Sequence, residues 1–382
     1  MNTITSKNHI GIISYAALNV YGQTKGNGTL TITNTGSTTD NTYGIYANEG
    51  YTQTSASVTI ESSFANDKNT GLSSYGLYVA NGSFNITGGT LDATAGNSDG
   101  ITQNTYGVFV NGSDENITIG TEGSATGPTL KATASDASLK INALQATTIT
   151  VNCGNVEVDT GTSTETDVNC INCTTYTQKA GKVKASGGFS SKQDASSSAI
   201  VADDMVVLAG SFEAEVGSET YAGSNVYGIN AQNTVFGSET SSSFPTIKLT
   251  SYNAKVSTVA LQSTKITSYN ADITARSQAA LATINSYGIY ATGTGDEGGL
   301  TLLDGSYKFS ASTTATTNKA ALKSEVDYTI DKDYFKLSNL DESTSDTKTM
   351  YQSIWDKDLK ISSNILILLE GETQTEKYAE EG

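Results

Sequence analysis

The sequence is poor in the residues that interrupt or cross-link a chain. Of its 382 residues only two are proline and three are cysteine. Three cysteines are too few for a disulfide framework, and scarce proline suits long ladders of strands, which proline interrupts. We therefore expect extended β structure that is held together without covalent cross-links.

Arginine and histidine are almost absent. The chain has one arginine, Arg276, one histidine, His9, and a net charge of −17. Nucleic acids and anionic membranes are bound by clustered lysine and arginine, so this composition argues against both as partners. An acidic surface instead keeps a long repeat protein soluble.

Long hydrophobic runs are also missing. No stretch approaches the ~18 apolar residues of a membrane span, and the apolar stretch 10–13 is too short for the core of a secretory signal. We expect no membrane insertion and no export signal in this chain. The sequence does contain 20 tyrosines and 37 glycines, which suit stacked strands joined by tight corners.

A repeated segment organises most of the chain. Residues 43–47 read Tyr-Gly-Ile-Tyr-Ala, and related segments recur about every 30 residues, a period typical of solenoids. The clear copies are 43–47, 75–79, 106–110, 227–231 and 287–291, the degenerate copies are 142–146, 169–173, 198–202 and 259–263, and the terminal copies are 16–20 and 320–324.

The third position of every copy is aliphatic, which predicts a buried column. Strand residues two apart share a face, so we expect the first, third and fifth positions to face the core and the fourth to face outward. The third-position residues are Leu18, Ile45, Leu77, Val108, Leu144, Ile171, Ile200, Ile229, Leu261, Ile289 and Leu322.

A second pattern follows these segments and completes each coil. Residues 84–93, 149–158, 205–214 and 300–309 each read as two short alternating strands joined at a corner that contains glycine, where a sharp bend requires positive φ. One coil therefore has three strands. The prediction is an all-β, right-handed parallel β-helix (solenoid) of about eleven coils, with handedness taken from the preference of parallel crossovers.

The predicted domains follow the repeat. Residues 1–15 are expected to form an N-terminal cap, residues 16–337 the β-helix, and residues 338–382 a C-terminal cap with an acidic tail. Caps are needed because an open coil exposes unpaired strand edges.

Several candidates for chemistry are weak. Asp203-Asp204 is similar to the acids of β-helix enzymes that cleave pectin, but no histidine lies nearby and Arg276 stands alone, so a solvated turn is the preferred interpretation.

Cys170 and Cys173 have metal or redox spacing without a second ligand pair, and we interpret them as small core residues. Possible calcium ligands are Asp331, Asp333, Asp356 and Asp358. We predict no catalytic residue, metal or cofactor.

The fourth position supplies the one predicted binding site. On three adjacent coils it holds Tyr46, Tyr78 and Phe109, and an exposed aromatic column can stack on sugar rings or contact a protein partner. The hypothesis is a carbohydrate-binding surface; the alternative is that the rings only rigidify the sheet. The first-position tyrosines, and a short ladder of Asn142 and Asn169, are predicted to be structural.

The repeat texture resembles that of bacterial secreted and surface β-helix proteins, including autotransporter passengers, polymorphic outer-membrane adhesins and carbohydrate-binding β-helices. The resemblance covers residues 16–337 and implies export and adhesion. We predict a non-enzymatic scaffold or adhesin, secreted or on the cell surface, with a polysaccharide or a host or cell-surface protein as partner. Alternatives are a carbohydrate-binding module, a phage or appendage fibre component, and a polysaccharide lyase or hydrolase.

Overall fold

The fold is described by a computed structural model. It describes residues 2–338, except 7–8, 23–27, 37–39, 64–71, 97–102, 113–115, 241–242, 295–297, 304, 313, 326–327 and 331–333, and three short strands beyond. The described residues contain β-strands and no helix. The chain divides into unit 1, Met1–Val201, and unit 2, Ala202–Gly382.

Unit 1 repeats one three-strand coil. One strand of each coil joins a first sheet and two join a second sheet, as the sequence predicts. The first sheet contains β1 Asn2–Ser6, β4 Thr29–Thr35, β7 Ser57–Ser63, β10 Thr90–Ala95, β13 Thr129–Ala134, β16 Asn155–Thr160 and β19 Lys182–Gly187. The second contains β2 Ile10–Ser14, β3 Leu18–Val20, β5 Thr42–Ala47, β6 Tyr51–Gln53, β8 Leu72–Val79, β9 Phe84–Ile86, β11 Gln103–Val110, β12 Asn116–Ile119, β14 Ile141–Gln145, β15 Thr148–Val151, β17 Val168–Asn172, β18 Thr175–Gln178 and β20 Ser196–Val207.

Unit 2 uses the same design with longer strands. Two second-sheet strands of a coil merge into one in the first coils, as in the 14-residue strand Gly223–Phe236. Its strands are β21 Ser211–Val216, β22 Gly223–Phe236, β23 Thr246–Ser251, β24 Ala254–Ser268, β25 Ala271–Ser277, β26 Thr283–Ala291, β27 Gly299–Leu302, β28 Gly305–Ser310, β29 Ala315–Ser324, β30 Tyr328–Ile330, β31 Tyr334–Ser338, β32 Leu359–Ile361, β33 Leu366–Leu368 and β34 Lys377–Tyr378.

Successive coils pair in parallel and in register, which confirms the solenoid and the position of the repeat. Ile45 lies beside Leu77, Leu77 beside Val108, and Val108 beside Leu144. In unit 2, Leu261 lies between Ile229 and Ile289. From Ile45 to Leu322, each third-position side chain is at most 1% exposed. The predicted glycine corners also hold, with φ of 80° at Gly89 and 103° at Gly154.

The first copy of the repeat was assigned to the wrong residues. Ile45 pairs with Ile12, whereas Leu18 pairs with Tyr51 in the next strand row. Residues 16–20 match the repeat pattern because apolar and polar side chains alternate in the strand row of Ile45 and also in the next row, that of Tyr51. The ladders therefore already include Asn2–Ser6 and Ile10–Ser14, which lie inside the segment 1–15 predicted as a cap. The predicted count of eleven coils is approximate. Most of the predicted C-terminal cap, 338–382, lies outside the described residues.

The interior column predicts where the fold is vulnerable. Replacing the fully buried Leu144 with alanine should lower the free energy of unfolding by about 2–5 kcal/mol, because a cavity forms between packed coils. Urea unfolding followed by circular dichroism measures the change. The control is Thr150→Ala, on the outward face of the neighbouring strand. Equal effects of the two substitutions would contradict the inward orientation of Leu144.

Candidate functional site

The fourth-position column exists as predicted. Tyr46 pairs with Tyr78, and Tyr78 with Phe109, on three adjacent coils. The ring centres lie 5.4 Å and 5.5 Å apart, with interplanar angles of 23° and 2°. All three side chains are partly exposed on the outer face of the second sheet. Much of each ring face is turned towards its neighbour in the stack.

The first-position tyrosines lie on the same outer face, so the prediction that they face the core is wrong. The ring centre of Tyr43 lies 5.3 Å from that of Tyr46, and the rings are nearly perpendicular, at 89°. A ring inside the coil could not reach one outside it. Tyr43 also stacks on Tyr75, and Tyr75 on Tyr106, at 5.0 Å for each pair.

A bend at the second position explains this arrangement. A Cβ at Gly44 would collide with the buried Ile60 of the first sheet, so the second position points inward. Ile45, the next residue, is also buried. Two successive inward residues break the alternation of the strand, and Tyr43 and Tyr46 therefore emerge on the same side. Glycine is needed here because the two sheets approach closely.

The two columns form one surface, which we call the six-ring cluster: Tyr43, Tyr46, Tyr75, Tyr78, Tyr106 and Phe109. Edge-to-face contacts join the columns within each coil, at 4.9 Å for Tyr75–Tyr78 and for Tyr106–Phe109. Each aromatic pair contributes about 0.5–1.5 kcal/mol beyond the burial of its area. The cluster therefore stabilises unit 1.

Amide side chains continue both columns on the next two coils. Asn142 and Asn169 form the predicted buried ladder, in which Asn169 Nδ2 donates to Asn142 Oδ1 at 3.2 Å. Asn142 Nδ2 donates in turn to Gln145 Oε1 at 2.6 Å. Gln145 and Asn172 occupy the fourth position and are partly exposed. Hydrogen-bonding groups thus border the six-ring cluster on its C-terminal side.

Unit 2 has a smaller aromatic pair at the equivalent positions. The rings of Tyr287 and Tyr290 lie 4.8 Å apart, and the ammonium of Lys323 lies 4.6 Å from the ring centre of Tyr290. Glu325 accepts a hydrogen bond from the Tyr290 hydroxyl at 2.6 Å and pairs with Lys323 at 2.9 Å. A charged pair therefore borders this aromatic surface.

The acidic pair suggested by the sequence is held by amides. Asp203 and Asp204 are exposed within Ser196–Val207, rather than in a turn. Asp203 Oδ1 accepts a hydrogen bond from Gln232 Nε2 at 2.6 Å, and Asp204 Oδ1 one from Asn233 Nδ2 at 2.9 Å. These contacts give both carboxylates a structural role between neighbouring coils.

The three cysteines, Cys153, Cys170 and Cys173, are unbridged and buried. Burial raises the pKa of the Cys170 thiol to about 12, which disfavours the thiolate that redox or metal chemistry requires. Across the part of the chain that the structure describes, no group of three or more His, Cys, Asp and Glu side chains is placed to hold a metal ion. Asp331, Asp333, Asp356 and Asp358 lie outside that part.

The fold and its register define this chain as a parallel β-solenoid repeat protein. Known protein families, curated proteins and solved structures yield no match to the chain. None of the described elements is a helix long and apolar enough to cross a membrane. A closer relationship to secreted β-helix proteins therefore has only the repeat pattern of the sequence as its basis.

The column of first-position tyrosines predicts that the protein is destabilised at alkaline pH. Burial raises the pKa of Tyr43, Tyr75 and Tyr106 above the ordinary value of about 10. The contribution of these phenols to the free energy of unfolding is therefore fully present below pH ~10. It is lost above that pH, because the unfolded chain releases phenolic protons that the folded chain keeps. The Tyr43→Phe/Tyr75→Phe/Tyr106→Phe variant should lose less stability between about pH 9 and 11, measured by urea unfolding. Identical losses would contradict the environment described for these phenols.

Proposed function

We propose that this chain is a non-enzymatic adhesive scaffold, secreted or displayed on a cell surface, that binds uncharged polysaccharide through the six-ring cluster. The observation that carries the proposal is the grouping of six aromatic side chains on the outer face of three adjacent coils. Five of the six side chains are partly exposed and Tyr106 is 8% exposed. Aromatic groups that reach the surface together mark interaction sites more often than isolated apolar residues do.

The composition of the cluster supports a saccharide ligand. Its six side chains carry no charge at neutral pH, and five of them end in a phenolic hydroxyl. Rings contact the apolar faces of sugars, while hydroxyls and amides hydrogen-bond to sugar hydroxyls. Gln145 and Asn172, in the same column, supply the amides. A glycan lying along the column would meet rings first and amides next.

A scaffold role is supported by how the remaining polar groups are used. Asp203 and Asp204 bind amides of the next coil, and the buried Asn142 and Asn169 bind each other. These groups are engaged in joining coils. We therefore assign the chain a binding role and no catalytic step.

The proposal is tested by removing the outer column without disturbing the ladder. The variant is Tyr46→Gln/Tyr78→Gln/Phe109→Gln, because Gln145 and Gln262 already occupy this position in other coils. Wild type should sediment with at least one insoluble neutral polysaccharide, and the variant should bind at least about tenfold more weakly, a loss of ~1.4 kcal/mol. Circular dichroism confirms that the variant is folded at the assay temperature.

The matched control is Tyr290→Gln, which changes the same position in unit 2. It should retain binding, since the proposed surface lies in unit 1. Loss of binding in both variants, or its retention in the triple variant, would contradict the assignment to the six-ring cluster. Failure of wild type to bind any neutral glycan tested would leave the rings with a stabilising role only.

A further inference from the structure

The outer face of the first sheet in unit 2 carries an unusual charge pattern. Its register places Glu213 beside Lys248, Lys248 beside Thr274, and Thr274 beside Lys308, on four adjacent coils. Arg276 lies two residues beyond Thr274 on the same strand and the same face. Thr274 is thus flanked by three cationic side chains, from Lys248, Lys308 and the only arginine in the chain.

The comparable column in unit 1 alternates in sign. Asp92 pairs with Lys131, Lys131 with Glu157, and Glu157 with Lys184. Each lysine there has a carboxylate on a neighbouring coil, and each interior carboxylate has two lysines. In unit 2 the same alternation would require an acidic residue at position 274. Threonine stands there instead, so Lys308 has no carboxylate directly beside it on the coil before, where Asp272 lies two residues from Thr274 on the same face.

The short threonines create a groove between the longer charged side chains. The groove has a volume of about 380 Å³ and is lined by Thr250, Thr274, Lys248, Arg276 and Lys308, with Glu213 and Glu215 at one end. The two acids lie on one coil and the three cations on the next three coils, with Glu213 directly beside Lys248. Asp272, the other acid near Thr274, is exposed and does not line the groove.

In the described part of the chain the cations around Thr274 are not held in close ion pairs, although Glu213 lies beside Lys248 in the register. Among the described residues, no ion pair within 4.0 Å involves Lys248, Arg276 or Lys308. The Nε atom of Arg276 is buried and has no hydrogen-bond partner. A guanidinium N–H that is buried without an acceptor is costly, so Arg276 would gain from turning its guanidinium towards an acceptor in the groove.

We propose that this groove binds an oxyanion, namely a carboxylate, sulfate or phosphate group of a small ligand or of an acidic saccharide. The Arg276 guanidinium and the Thr274 hydroxyl donate hydrogen bonds to it, and the ammonium groups of Lys248 and Lys308 balance its charge. This site is independent of the six-ring cluster and of the ligand proposed there.

The test introduces a carboxylate at position 274, where the alternation of charge is interrupted. Thr274→Glu gives unit 2 the alternation that Glu157 completes in unit 1, so the fold should accept it. Without added anion, this variant should melt at a higher temperature than wild type. Sodium sulfate, titrated at constant ionic strength against sodium chloride, should raise the melting temperature of wild type more than that of Thr274→Glu, which shows only the general stabilisation by sulfate.

Two further variants separate a specific site from general charge. Arg276→Gln should weaken sulfate binding about tenfold or more, by loss of the guanidinium donors. Lys184→Gln removes one positive charge from the alternating column of unit 1 and should leave sulfate binding unchanged. Equal sulfate effects in wild type, Thr274→Glu and Arg276→Gln would overturn the proposal.

The source of the oxyanion is distinguished with a second probe. A short uronic acid oligomer is titrated calorimetrically against wild type and Thr274→Glu in parallel with sulfate. Binding of either probe that Thr274→Glu abolishes supports the site, and tighter binding of the oligomer assigns it to an acidic saccharide. No binding of sulfate, phosphate or the oligomer to wild type would refute it.

Discussion

The structure depends on the parallel, in-register stacking of one coil on the next. In the ladders, backbone groups bond to the neighbouring coil in register, so a side chain lies against its counterpart about 4.8 Å away. Equivalent residues of successive coils therefore form columns of stacked side chains that run along the repeat. A column is stable only if its members are compatible with copies of themselves or with a defined partner.

The columns of this chain meet that requirement in different ways. Aliphatic residues such as Ile45, Leu77 and Val108 pack without polarity. Aromatic residues stack, as in the six-ring cluster. Polar residues inside form chains of donors and acceptors, for example the Thr42 hydroxyl donating to that of Ser74 at 3.1 Å. Such networks are stabilising only when nearly every member is satisfied.

The same rule explains which features the sequence could predict. The aliphatic third position identified the coils from Ile45 to Leu322 because a slip by one residue would turn every apolar side chain outward. Leu18 was misassigned because two strand rows share an alternating pattern. Tyr43 was placed inside because strict alternation ignores the bend at Gly44, although the Tyr-Gly pairs on three consecutive coils signal it. The groove at Thr274 was not predicted, because the strands that carry Lys248 and Thr274 were not among the aligned copies of the second pattern, so their register with Glu213 and Lys308 was unknown.

Columns of charge are the most demanding, because like charges one coil apart repel. Alternation solves this in unit 1, through Asp92, Lys131, Glu157 and Lys184. A residue that breaks such an alternation is informative, since it leaves a charge that the fold itself does not balance. The six-ring cluster satisfies its own columns through stacking between neighbouring coils. Thr274 interrupts the alternation of its column, and the oxyanion proposed for this groove would balance the charge that remains.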